Sequence, residues 1–183
     1  EIPLRLVGSE MCIRDRYATG HSNGSLMTWA TACRYASRFA AIAPVGYMFT
    51  PLPELDPAVL LPAWAFLGEY DSAGLAELVE DNGTVKALQG WNAHNATNEA
   101  AVAESSSYNG AFVTKSFMGG NAPLVKYTVV KDTPHVYLQE ESVAIWNEFF
   151  SRYSRGADGT LYYQGNAVTA GKHQPSADWY AAK

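Results

Sequence analysis

Gly20-His21-Ser22-Asn23-Gly24 constrains this chain more than any other stretch. It has the form G-x-S-x-G, in which a strand turns abruptly into a helix with a serine on the bend. The backbone at Ser22 must be strained to hold its hydroxyl in the open, and strand and helix then nearly touch. Glycines two residues either side of the serine supply the missing side chains that permit this approach. The neighbouring sequence fits. Tyr17-Ala18-Thr19 reads as the end of a buried strand, and Ser25 to Phe39 as a helix with Leu26, Ala30, Cys33 and Ser37 at helical spacing. Ala40 to Tyr47 (AAIAPVGY) is a short apolar run of the kind a central parallel strand requires. Ser22 is therefore a candidate nucleophile; a serine in an ordinary βα turn is the blander alternative.

Bulk composition narrows the rest. With 183 residues, 48% of them hydrophobic, the chain can build one globular core. Its 13 Lys+Arg against 18 Asp+Glu give a net charge of −5, which argues against a nucleic-acid surface. No apolar stretch approaches the ~20 residues needed to span a bilayer.

The first sixteen residues (EIPLRLVGSEMCIRDR) show no strand or helix period. Leu6 to Asp15 resembles the frame translation of a transposase-type sequencing adapter, so 1–16 are expected to be non-native. Authentic sequence would then begin near Tyr17, as the C-terminal part of a longer protein. Cys12 would drop out and leave Cys33 as an unpaired small core residue. Such a chain should be unstable and nearly inactive by itself.

Further along, Met48 to Leu61 contains three prolines and reads as a loop across the top of the sheet. Pro62 to Gly68 (PAWAFLG) is the next strand, and it runs into the polar turn Glu69-Tyr70-Asp71-Ser72-Ala73-Gly74. In open α/β sheets, reacting groups gather at that edge. Thr84 to Thr97 reads as a helix with Val85, Leu88, Trp91 and Asn95 on one side, and Glu99 to Gly110 as loop. Ala111 to Met118 would be an edge strand or an insertion. Leu124 to Val130 is a β-branched strand ending in Lys131-Asp132-Thr133-Pro134-His135. Glu140 to Tyr153 is an amphipathic helix with Val143, Trp146, Phe150 and Tyr153 on its stripe. Asp158-Gly159-Thr160 marks a turn before Leu161-Tyr162-Tyr163, and the last twenty residues read as a loosely packed tail.

Ser22, Asp71 and His135 occur in the order serine, acid, histidine, each in a turn after an expected strand. A serine hydroxyl is barely nucleophilic at neutral pH, so His135 must take its proton and later return it. An ionised Asp71 fixes the imidazole tautomer and stabilises the imidazolium. The Asn23 backbone N–H is one candidate oxyanion-hole donor. Rivals remain for two of the roles. His21 lies inside the elbow and should point elsewhere, shaping the pocket; His94 and His173 read as surface or structural histidines. Glu69 could replace Asp71, and Asp132 sits three residues before His135. The histidine and cysteine spacing gives no metal site, the Gly pattern gives no phosphate cradle, and this chemistry needs no cofactor.

GHSNGSLMTWATACRYASRFAAIAPVGY resembles the elbow, helix and following strand of the extracellular polyhydroxybutyrate-depolymerase-like esterases, which include feruloyl and acetylxylan esterases. PAWAFLGEYDSAG is similar to their strand and acidic loop, and PHVYLQEESVAIWNEFFSRYSR to their histidine loop and last helix. Two departures stand out: Ser25 replaces the usual second glycine, and GEYD replaces a His-Gly-x-x-Asp run. The resemblance implies an α/β-hydrolase fold, truncated at its N-terminus, with a mostly parallel sheet and flanking helices. Residues 17–155 would be the C-terminal part of the catalytic domain, and 156–183 an extension. It further implies a secreted or periplasmic serine carboxylesterase with Ser22, Asp71 and His135 in the catalytic roles. Its substrate would be a small or polymeric ester; the aromatics Tyr47, Trp64, Tyr70 and Tyr137 would suit an apolar acyl group or else pack the core. A serine peptidase of the same fold, and a non-catalytic binding domain retaining the elbow, are the alternatives.

Overall fold

The computed structural model describes residues 15–71 and 83–180. The adapter-like segment therefore lies outside the described residues except at its end, as does Ser72-Ala73-Gly74 of the acidic turn. Six strands form the main sheet: β1 (Tyr17–His21), β2 (Ala41–Val45), β3 (Ala63–Gly68), β4 (Ala103–Ser107), β5 (Phe112–Gly119) and β6 (Ala122–Val130). Their spatial order is β1-β2-β3-β6-β5-β4. The pairs β1–β2, β2–β3 and β3–β6 are parallel, and β5 and β4 continue the sheet antiparallel. Every residue of β2 and β3 is buried, as strands covered on both faces must be. Pro44 interrupts the β2–β3 ladder: Ile42 and Gly46 donate to Pro62 and Phe66 carbonyls, and the proline between them has no N–H to give.

Helices α1 (Asn23–Arg34) and α2 (Gly83–His94) cover one face through Trp29, Cys33, Val85, Leu88 and Trp91. The other face packs against α3 (Gln139–Ala144) and the π and 3₁₀ turns that extend it to Arg152. A small antiparallel sheet of β7 (Tyr153–Arg155), β8 (Leu161–Tyr163) and β9 (Asn166–Ala167) completes that layer. The result is a helix–sheet–helix sandwich of α/β class. No helix among the described residues is long and apolar enough to cross a membrane.

Several local expectations need correction. The buried stripe of α1 is Ser25, Thr28, Trp29, Ala32 and Cys33, while Leu26 is 38% exposed; Trp29 sets the phase because its indole reaches the Tyr47 carbonyl. Residues 103–107, expected as loop, form the edge strand β4, so β5 is internal. Their serines offered no apolar alternation because that strand is almost wholly exposed. The last long helix winds through a π turn at Ile145–Phe149, which shifts its phase. Ala144, Ile145, Phe149 and Phe150 are buried, whereas Val143 and Trp146 are 44% and 56% exposed.

The final segment is not loose. Glu99, 2% exposed, accepts hydrogen bonds from His173 Nε2 and Trp179 Nε1, both at 2.7 Å. Trp179 is itself buried against Phe117. This interior carboxylate, together with the Gln174 backbone bonds to Thr97 and Glu99, straps the C-terminal segment to the body of the chain.

Candidate active site

The parallel strands β1, β3 and β6 deliver Ser22, Asp71 and His135 to one edge of the sheet. Ser22 has φ 57° and ψ −116°, a conformation that non-glycine residues seldom adopt. Its N–H donates to the Val45 carbonyl of the neighbouring strand at 3.0 Å, and its hydroxyl does not cap α1. A Cβ on Gly20 would lie 2.6 Å from the Gly24 carbonyl carbon, so the strand–helix contact is real. Gly24, by contrast, has nothing within 4 Å of an added Cβ. The expected pair of glycines therefore reduces to one: Gly20 gives up its side chain, and Gly24 contributes only the backbone it abuts.

His135 Nδ1 lies 2.7 Å from Asp71 Oδ2. Asp71 is 3% exposed; a carboxylate oxygen accepting from Nδ1 puts the ring proton there and leaves the Nε2 lone pair available. Four contacts stitch the loops that carry these two residues. Glu69 and Tyr70 N–H groups donate to Val130 and Thr133 carbonyls; Lys131 Nζ donates to Glu69 Oε1, and the Asp132 N–H to Glu69 Oε2. Those two donors hold the Glu69 carboxyl below its usual range. Glu69 thus braces the site and does not touch His135. Asp132 accepts from the Tyr70 hydroxyl. Among the described carboxylates, only Asp71 hydrogen-bonds the His135 ring.

The other histidines separate clearly. His94 Nε2 donates to the Val59 carbonyl, and His173 belongs to the Glu99 strap. His21, expected to point elsewhere, instead packs on His135 with ring centroids 4.6 Å apart. Tyr47 stands 5.4 Å from His135, and Tyr137 stands 6.2 Å from His21. Tyr70 is 64% exposed beside the acid loop. Trp64 is not at the site: it is 1% exposed in the core, its indole N–H donates to Thr128 Oγ1, and Lys126 covers its ring. Ser25, where a glycine was expected, is fully buried and donates to the Tyr47 carbonyl, which fixes the loop after β2. Asn23 N–H has no acceptor among the described residues, as befits the first amide of a helix. No hydrogen bond joins Ser22 Oγ to His135, whose ring bonds to Asp71 instead.

Sequence reasoning missed two members of the site. Gly46, at φ +90°, lies under both imidazoles: an added Cβ would fall 2.8 Å from His135 Cε1 and 3.2 Å from His21 Cδ2. The proximity of His21 to His135 was also hidden, since it depends on where β6 delivers its loop.

No protein-family profile matches the sequence, and no curated protein does. Among solved structures, the fold is similar to that of an acetyl xylan esterase from Aspergillus awamori, with a TM-score of 0.52 at 13% identity. The match covers 74% of this chain and 58% of that enzyme, so the chain spans less than two thirds of its length. Together with the mostly parallel sheet and its strand–elbow–helix, this makes the fold one of α/β-hydrolase type.

Proposed function

We propose that the chain carries the catalytic groups of a serine carboxylesterase. One observation carries this reading: a buried carboxylate orients His135 at the sheet edge where a strained turn presents Ser22. In the reaction, His135 Nε2 accepts the Ser22 Oγ proton as Oγ bonds to the ester carbonyl carbon. The Asn23 N–H donates to the resulting oxyanion. Collapse breaks the C–O bond to the alcohol, which leaves with the proton held by His135. Water then attacks the acyl-enzyme with His135 again as base, which releases the acid and restores Ser22.

The acetyl xylan esterase likeness supports an ester substrate, and the sequence resemblance points to polyester, feruloyl or acetyl esters and a secreted or periplasmic setting. Tyr47, Tyr70 and Tyr137 supply an apolar rim for such an acyl or alcohol group. The test is covalent labelling by a fluorophosphonate probe together with hydrolysis of p-nitrophenyl acetate. Labelling is the more sensitive arm, because it requires only an activated hydroxyl. Labelling, with at most slow ester turnover, is expected in the wild type and neither signal in Ser22→Ala; a wild type that never labels refutes the reading.

A further inference from the structure

His21 closes β1 and takes no part in the steps above. Its imidazole is tilted by 37° against that of His135, and the two rings share the bare surface of Gly46. His21 Nε2 is buried and has no hydrogen-bond partner among the described residues. An imidazolium carries two N–H donors, and a buried donor without an acceptor is penalised. This setting therefore favours the neutral ring. When His135 becomes cationic during acyl transfer, a charged His21 so close would oppose it. A neutral ring would instead present an aromatic face to the cation.

We propose that His21 is a positioning residue for His135: its ring, packed on the base over the bare surface of Gly46, fixes the plane of that base. This rests on Ser22, His135 and Asp71 being nucleophile, base and orienting acid. Burial lowers the His21 pKa, His135 lowers it further, and Asp71 opposes the shift. Among the described residues, the titratable groups facing His21 are His135 and Tyr137 from the β6–α3 loop and Asp71 from the end of β3. A ring that must stay neutral to support a neighbouring base makes a prediction separate from catalysis itself.

NMR titration of the four histidine Cε1–H resonances, in wild type and His135→Gln, reads the coupling between the two packed rings. His21 is expected to titrate below the ordinary ~6.5, and its midpoint should rise in His135→Gln, where the neighbouring imidazole no longer opposes its charge. Fluorophosphonate labelling of wild type, His21→Phe and His21→Ala reads the positioning. The phenylalanine should keep the rate within about threefold, and the alanine should slow it by about tenfold or more, since the ring and not its proton is required. A His21 midpoint at the ordinary value that ignores His135→Gln overturns the proposal, as does His21→Ala labelling at the wild-type rate. If His21→Ala fails to fold, the titration of wild type and His135→Gln still decides. Labelling that survives Ser22→Ala would instead sink the esterase reading, and the NMR arm would judge the histidine pair alone.

Discussion

Gly20→Ala isolates the strand–helix collision on which the elbow depends. The added Cβ would meet the Gly24 carbonyl carbon and oxygen at 2.6 Å and its Cα at 2.9 Å, all backbone atoms that no rotamer change can move aside. Comfortable carbon contacts lie near 3.5–4.0 Å, so the shortfall is about 1 Å. Relief requires moving β1 or the start of α1 bodily. Overpacking of this kind costs about 1–3 kcal/mol, and the rigidity of both partners places Gly20→Ala at or above the upper end. For a chain of this size that lowers Tm by about 5–12 °C. A displacement of that order at Ser22 should also slow labelling by about 100-fold. Gly24→Ala is the matched control. It has nothing within 4 Å of the new Cβ, and alanine in a helix gains up to ~1 kcal/mol over glycine. Its Tm should hold or rise, as followed by thermal denaturation. Equal melting shifts for the two variants, or a Gly20→Ala protein that melts with the wild type, would refute the collision argument.

Three further outcomes follow from the geometry. Asp71→Asn keeps the volume but removes the negative charge and replaces one acceptor oxygen with an amide donor that can impose the wrong His135 tautomer; it should lower ester turnover by about 10³–10⁴-fold with little change in Tm. Glu99→Ala strands the Trp179 indole N–H and releases His173; it should cost about 2–3 kcal/mol and render the C-terminal segment susceptible to limited proteolysis. Glu141, 1% exposed, has its carboxyl raised by burial to about 7. Its folded pKa exceeds its unfolded value, so its stabilising share is whole below about pH 4.3 and is lost as pH rises through about 7. Glu141→Gln should therefore flatten the decline in Tm between about pH 5 and pH 8.

The sequence made the parallel half of the fold legible for a physical reason. Strands buried on both faces must be apolar throughout, and AIAPV and AWAFLG announce themselves. The antiparallel margin was not, because AESSS at the exposed edge carries no burial pattern. Helix existence was clear, but helix phase was not: the π turn at Ile145–Phe149 adds a residue to one winding, and no 3.6-residue period foresees that. The C-terminal strap was opaque because the carboxylate that gathers its His173 and Trp179, Glu99, is buried and far away in sequence. At the site, the order Ser22, Asp71, His135 was readable, whereas Glu69 could not be told from Asp71. Only the β3–β6 register, which sets Gly68 opposite Val130, brings Glu69 beside Lys131 and so assigns it to bracing.

Absent side chains prove as informative as present ones. Three glycines stand at or next to the C-terminal ends of adjacent parallel strands, and each clears space for a different part of the site. Gly20 admits the backbone of Gly24 and so permits the bend at Ser22. Gly46 admits the rings of His21 and His135. Gly68 admits the Thr133 and Pro134 carbonyls, so that the loop carrying His135 can fold back over β3 toward Asp71. A methyl group at any one would displace a different member: Ser22, the His135 ring or the loop that carries it. Such coincidence along one sheet edge is what a packed core alone would not require, since β2 and β3 fill their interiors with Ile42, Val45, Phe66 and Leu67. The vacated positions therefore argue, independently of the Asp71–His135 bond, that this edge is arranged around Ser22.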